Sequence, residues 1–153
     1  MNIIYISQQQ ALDTHSRTIR YSGGGDYSVI NEGYLLSALE HIQNDDYYPT
    51  FEDKLTHLVW SINRNHSFSD GNKRLSITLG TLFLLLNGRM YCSERFLREM
   101  ENVSYHLAAG CIDKELLEDI IQSILDGEDD FSEDVKLRLF IAIDNQQTGF
   151  NEE

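Results

Sequence analysis

The 153-residue chain reads as an all-α bundle of six or seven helices. Three observations predict this. Apolar residues recur at three- and four-residue spacing through most of the sequence, with almost no strand-like alternation. Cap residues stand ahead of the periodic segments, and Asn87-Gly88, Gly110 and Gly127 stand after them. The block from Leu75 to Leu86 is apolar on nearly every side, a pattern a helix tolerates only when other helices enclose it.

The first helix is expected over residues 7–20, with Ser7 as N-cap and Ala11, Leu12, His15 and Ile19 on one face. Ser22-Gly23-Gly24-Gly25-Asp26 follows as a loop. Its glycines lack the Gly-x-x-x-x-Gly-Lys-(Ser/Thr) frame and no strand precedes them, so it reads as a hinge or substrate-side loop rather than a phosphate loop. Asn31 caps a second helix running from Glu32 to about Asn44, with Leu35, Leu36, Leu39 and Ile42 together. The only proline, Pro49, breaks the chain there. Thr50 and Asp53 form a capping pair for a helix through Asn65, with Phe51, Leu55, Leu58, Val59 and Ile62 inward. His57 on this helix reads as a surface or core-edge residue, since no second ligand stands at zinc spacing.

Residues 70–87 form the central helix, stopped by Asn87-Gly88. Ser93 is expected to cap a helix to Ala109 that carries Phe96, Leu97, Met100, Val103, Tyr105 and Leu107. Asp113 starts the next, with Leu116, Leu117, Ile120, Ile121, Ile124 and Leu125 on its apolar face. Ser132 caps the last, residues 133–147, whose Val135, Leu139, Phe140 and Ile143 make a stripe suited to packing.

Composition narrows the function. Hydrophobic residues make up 41% of the chain, enough for the core of one domain. Its N-terminal residues are too short and uncharged a run for a secretory signal, and no apolar run approaches bilayer length, so no membrane is expected. Cys92 and Cys111, far apart and without metal-spaced partners, fit buried thiols in a reduced cytoplasmic protein. The net charge is −13, and residues 126–153 carry nine acids against Lys136 and Arg138. With no basic stripe, nucleic-acid binding is not expected.

Positive charge gathers in one place, His66-Ser67-Phe68-Ser69-Asp70-Gly71-Asn72-Lys73-Arg74. If a helix begins just after Asp70, the amides of Asn72, Lys73 and Arg74 lack intrahelical partners and the macrodipole adds partial positive charge. Such an end attracts anions. Gly71 allows close approach, while Lys73 and Arg74 add full charges and Arg74 offers a fork for two phosphate oxygens. A carboxylate beside phosphates calls for a cation between them, so Asp70 reads as a Mg²⁺ ligand. His66 supplies a proton acceptor near neutral pH. The set suggests transfer of a phosphate-containing group; the bland alternative is an ordinary solvated loop.

The same string resembles the signature of the Fic/Doc family, His-x-Phe-x-(Asp/Glu)-(Gly/Ala)-Asn-(Gly/Lys)-Arg, at all seven specified positions: His66, Phe68, Asp70, Gly71, Asn72, Lys73 and Arg74. Upstream, Asn31-Glu32-Gly33-Tyr34-Leu35-Leu36-Ser37-Ala38-Leu39 is similar to a segment of the Doc branch. Downstream, Asn87-Gly88 and Leu107-Ala108-Ala109-Gly110 resemble its turns. The resemblance implies a Fic-fold helical bundle in which a central buried helix follows the motif loop. It further implies a Fic/Doc domain over residues 1–125; residues 126–153 read from their apolar stripe as an acidic helical extension packed on it, with a dimer surface or a mimic of an acidic antitoxin segment as alternatives.

Two departures bear on the reaction the resemblance implies. Adenylylating members carry glycine where this chain has Lys73 and a second arginine where it has Ile77. Lys73 instead resembles the Doc branch, whose toxins transfer the γ-phosphate of ATP to a hydroxyl on elongation factor Tu and are held in check by an antitoxin. On that likeness His66, Asp70, Lys73 and Arg74 are the catalytic residues, and Gly71, Asn72, Lys73 and Arg74 hold ATP, with Mg²⁺ on Asp70. Protein adenylylation and a non-catalytic nucleotide- or peptide-binding module are the alternatives. Residues 28–33 also fit a family pattern, (Ser/Thr)-x-x-x-Glu-(Gly/Asn), in which the glutamate, here Glu32, is inhibitory; the Doc-like segment assigns Glu32 to the fold or the site edge instead. In the family a flap that pairs with the target corresponds to the stretch from Asp45 to Pro49. Tyr47 and Tyr48 there face the target or the base, or are simply half-buried.

Overall fold

The computed structural model describes residues 2–21, 32–65 and 70–151. Among these residues the helices are α1 (Gln8–Tyr21), α2 (Glu32–His41), α3 (Phe51–Asn65), α4 (Asp70–Leu86), α5 (Met90–Ala108), α6 (Lys114–Leu125) and α7 (Glu133–Asn151), and no strand occurs. The all-α bundle expected from helical periodicity is the architecture observed.

α4 is its axis. Leu75, Leu79, Phe83 and Leu84 are fully buried, and α4 packs against α3, α5 and α1. α2 and α6 lie on α3, and α7 lies on α6. Enclosure of α4 is incomplete, because Ile77, Leu82 and Leu86 are only partly buried and Leu85 is exposed. Helices pack closely at Gly80, where an added Cβ would stand 2.6 Å from Phe96 Cζ on α5 and 3.3 Å from Val59 Cγ2 on α3.

Local chemistry accounts for most helix ends. Ser7 and Gln10 bond reciprocally, the Gln10 amide to Ser7 Oγ at 3.1 Å and the Ser7 amide to Gln10 Oε1 at 2.9 Å, which is a capping box. Thr50 and Asp53 do the same at α3. Asp113 accepts from the Leu116 amide at α6, and Ser132 from the Val135 amide at α7. α4 closes with a Schellman turn: Gly88 sits at φ +72°, its amide reaches the Leu85 carbonyl, and the Arg89 amide reaches the Leu84 carbonyl at 2.9 Å. Asn87 adds a clamp, since its side-chain amide exchanges two hydrogen bonds with the backbone of Ile4 and so ties the extended N-terminal segment to the end of α4.

That turn also moves a predicted boundary. α5 starts at Met90 behind an N-cap, Arg89, that makes no side-chain cap bond; Ser93 lies inside the helix and its hydroxyl donates to the Met90 carbonyl. The Schellman turn reverses the chain within two residues, so the next helix begins at once. α2 likewise stops at His41, earlier than the sequence suggests, and the carbonyl of Ile42 beyond it accepts from Lys54 Nζ at 2.8 Å. α7 packs through Val135, Leu139 and Ala142, with Arg138 paired to Asp119 at 2.6 Å on α6. Phe140, expected inward, is 67% exposed beside Leu137 and Ile141, because α6 offers a surface to one side of α7 alone.

Candidate active site at the amino end of the central helix

The carboxyl end of α3 and the amino end of α4 flank residues 66–69, and Asp70, Gly71, Asn72, Lys73 and Arg74 of the predicted site stand on the first turns of α4. His66 and Phe68 lie outside the described residues, as do Asn31 and the glycine loop; of Asp70 and Gly71 the helical backbone is described. α4 begins at Asp70 itself. The amides at this end of the helix lack partners within the helical ladder.

The three following side chains diverge in environment. Asn72 is buried at 1% exposure. Lys73 is half-buried and holds its ammonium 5.3 Å from the centroid of the Tyr105 ring on α5, within cation–π range. Arg74 is exposed. Tyr105, expected among the apolar positions of its helix, is 52% exposed and forms one wall beside Lys73.

The elements that converge here are fixed to one another. Fully buried Asn63, near the end of α3, donates from Nδ2 to the Ser104 carbonyl of α5 at 3.1 Å. The Thr18 hydroxyl on α1 lies 3.4 Å from that of Thr78 on α4. Sequence reading missed Asn63, although it falls four residues after Val59 on the apolar stripe of α3, where an amide requires a buried partner. On α1, burial lowers the pKa of His15, and the charge of Glu32 on the first turn of α2 partly offsets this. The Glu32 side chain is exposed.

The segment 45–50 stands elsewhere. It precedes the amino end of α3, whereas the motif follows the carboxyl end of this 15-residue helix, roughly 22 Å away at the α-helical rise. Nor is it extended: the Tyr48 amide bonds to the Asn44 carbonyl at 2.9 Å and the Asp46 amide to Asn44 Oδ1 at 3.0 Å, closing a turn. The expected flap is thus a closed turn in the described structure. Tyr47 is 77% exposed and Tyr48 stacks on His57 with ring centroids 4.2 Å apart.

A family model described as the Fic/DOC family matches residues 5–84, just over half of the chain and almost everything from the start of α1 to the end of α4. The chain belongs to the Fic/Doc family. Toxin Doc of Mycolicibacterium smegmatis (strain ATCC 700084 / mc(2)155) is 38% identical to it over 69 residues, which cover 42% of this chain and 53% of that protein. The chain thus spans about half the length of the curated relative it matches. No solved structure matches it. The Fic/Doc match ends at Leu84, so Tyr105, which stands against Lys73, and Ser104, which holds Asn63, lie outside the matched residues.

Among the described residues no group of three or more His, Cys, Asp or Glu side chains is placed to bind a metal. Both cysteines are free thiols, Cys92 buried and Cys111 partly so. Among the described residues no helix is long and apolar enough to cross a membrane.

Proposed function

We propose that this Fic/Doc chain is a Doc-like toxin that transfers the γ-phosphate of ATP to a hydroxyl of a target protein, a translation elongation factor such as elongation factor Tu. Lys73 carries the reading. It occupies the position that is glycine in adenylylating members, and its ammonium stands against the Tyr105 ring beside exposed Arg74. Ile77, at the position of their second arginine, packs partly buried against the core and offers a nucleotide nothing. The curated relative named Toxin Doc supports the toxin reading, which in turn implies an antitoxin protein as partner.

In this mechanism His66 takes the proton of the target hydroxyl, whose oxygen attacks the γ-phosphorus in line; the bond to the β-phosphate oxygen breaks and ADP leaves. Lys73, Arg74 and the first-turn amides of α4 offset the negative charge that grows on the transferred group and the leaving oxygen. Gly71 leaves the first turn open to the phosphates. Asn72, with its side chain buried, serves through its amide and by holding the turn. Asp70, on the first turn beside these cations, is the residue suited to hold Mg²⁺, which when bound neutralises phosphate charge.

Label transfer from γ- and α-labelled ATP in parallel, with Mg²⁺, to elongation factor Tu and to lysate proteins tests the proposal. Label is expected from the γ-position only, and His66→Ala is expected to slow it about 10²- to 10⁴-fold. Transfer from the α-position would make the chain an adenylyltransferase. Nucleotide binding with no transfer from either would leave a binding module.

A further inference from the structure

A cavity of about 360 Å³ opens between α2 and α3. Its volume is at the small end of the range of small-molecule pockets. Trp60 and Tyr34 contribute aromatic surface, and Ala38 leaves room between them. The Arg64 guanidinium lies 4.7 Å from the Trp60 ring centroid, so cation–π contact already orients it at the rim.

His57 is held on three sides. Its Nδ1 is 3.0 Å from Lys114 Nζ, while Nε2 is 3.2 Å from the Tyr48 hydroxyl and 3.1 Å from Ser61 Oγ. A lysine ammonium only donates, so Nδ1 is the acceptor and Nε2–H the donor. The single Nε2–H lies between the Tyr48 and Ser61 oxygens, so neither hydroxyl spends its own proton on His57. His41, with its ring centroid 6.0 Å from that of His57, adds another polar ring at the same wall.

Charge distinguishes this cavity from its surroundings. The chain carries −13, yet among the described residues no carboxylate lines this space, whereas Arg64, two imidazoles and serine hydroxyls do. An anion repelled by the rest of the surface finds donors and a guanidinium here.

We infer that the α2–α3 cavity is a binding site for a small aromatic anion, a single ring bearing a carboxylate or phosphate, with the ring against Trp60 and the anionic group on Arg64 and Ser61. The inference is independent of the phosphotransfer reading, because occupancy is read with no nucleotide present.

Trp60 is the only tryptophan in the chain, so its fluorescence reports this cavity alone. The full chain is titrated with phenylacetate, phenyl phosphate, benzyl alcohol and inorganic phosphate, and the imidazole resonances of His41 and His57 are followed in parallel by NMR. Saturable change at millimolar concentration or below is expected with one or both ring anions; which of them binds more tightly distinguishes carboxylate from phosphate ligands. Binding about tenfold weaker or worse is expected for the uncharged ring and for the ringless anion, and for either ring anion in Arg64→Gln, the loss of one charged hydrogen-bonding partner. Arg64 is exposed, so an unchanged melting temperature for that variant separates loss of binding from loss of fold. The inference is overturned if neither ring anion saturates, if benzyl alcohol or inorganic phosphate binds equally well, or if folded Arg64→Gln binds like the wild type.

Discussion

At the level of single residues, Lys54 makes the most demanding commitment. Its side chain has no exposed surface, and its ammonium donates to the Ile42 carbonyl at 2.8 Å and to Asp45 Oδ1 at 2.7 Å. Burial alone would lower its pKa; hydrogen bonds to Asp45 and Tyr5 raise it instead, so the group stays charged. The contact closes the end of α2 against α3. Lys54→Met keeps the apolar stem but leaves the Ile42 carbonyl without its donor, and urea denaturation is expected to show a loss of about 1–3 kcal/mol. An unchanged midpoint would mean that solvent at the Asp45 turn replaces the ammonium. Lys54 was not singled out in the sequence, although it stands three residues after Phe51 and four before Leu58, on the inward stripe. The position was legible there; its partner, a carbonyl twelve residues earlier, was not.

At the level of elements, the position of α4 against α5 depends on the missing side chain of Gly80. Alanine would favour the helix by about 1 kcal/mol, but its Cβ would meet the fully buried Phe96 ring at 2.6 and 2.9 Å. Overpacking of this kind costs about 1–3 kcal/mol, so Gly80→Ala is expected to be destabilising on balance and to lower Tm by a few degrees. Phe96→Leu introduced into that variant is expected to recover part of the loss; no recovery would place the strain elsewhere. Because the same helix presents Lys73 and Arg74 at its amino end, the variant is a direct way to ask how much the site depends on the α4–α5 spacing. Periodicity located α4 and α5 in the sequence, and Asn87-Gly88 located the end of α4. The start of α5 escaped it, because its N-cap, Arg89, makes no side-chain cap bond and so leaves no capping signature in the sequence.

At the level of the whole molecule, His57 on α3 joins the turn that carries Tyr48 to α6 through its contacts with Tyr48 and Lys114, and bonds Ser61 within α3. Burial first, then the charges of Lys114 and His41, lower its pKa from 6.5 to about 4. The unfolded chain therefore takes up this proton before the folded one does. The contribution is fully present above pH 6.5, shrinks as the pH falls towards 4 and is lost below it. Discounted for partial exposure, it is of order 1–2 kcal/mol. Glu52 and Glu118, whose pKa values are raised by burial, act in the opposite direction at acid pH, so the test is a comparison: His57→Asn is expected to lose less stability than wild type between pH 7 and 4.5. Parallel losses would remove His57 from the account.

The sequence by itself determined the helical class, most helix ends, the inward stripes and the motif that marks the Fic/Doc family, because each depends on residues within a few positions of one another along the chain. Tertiary structure alone decided that Tyr105 faces Lys73, that Asn63 fastens α3 to α5, that Lys54 is buried, that segment 45–50 lies a helix length from the motif and that one face of α7 stays uncovered. Those facts depend on which helix ends meet in space, and the contacts that bring them together join residues tens of positions apart.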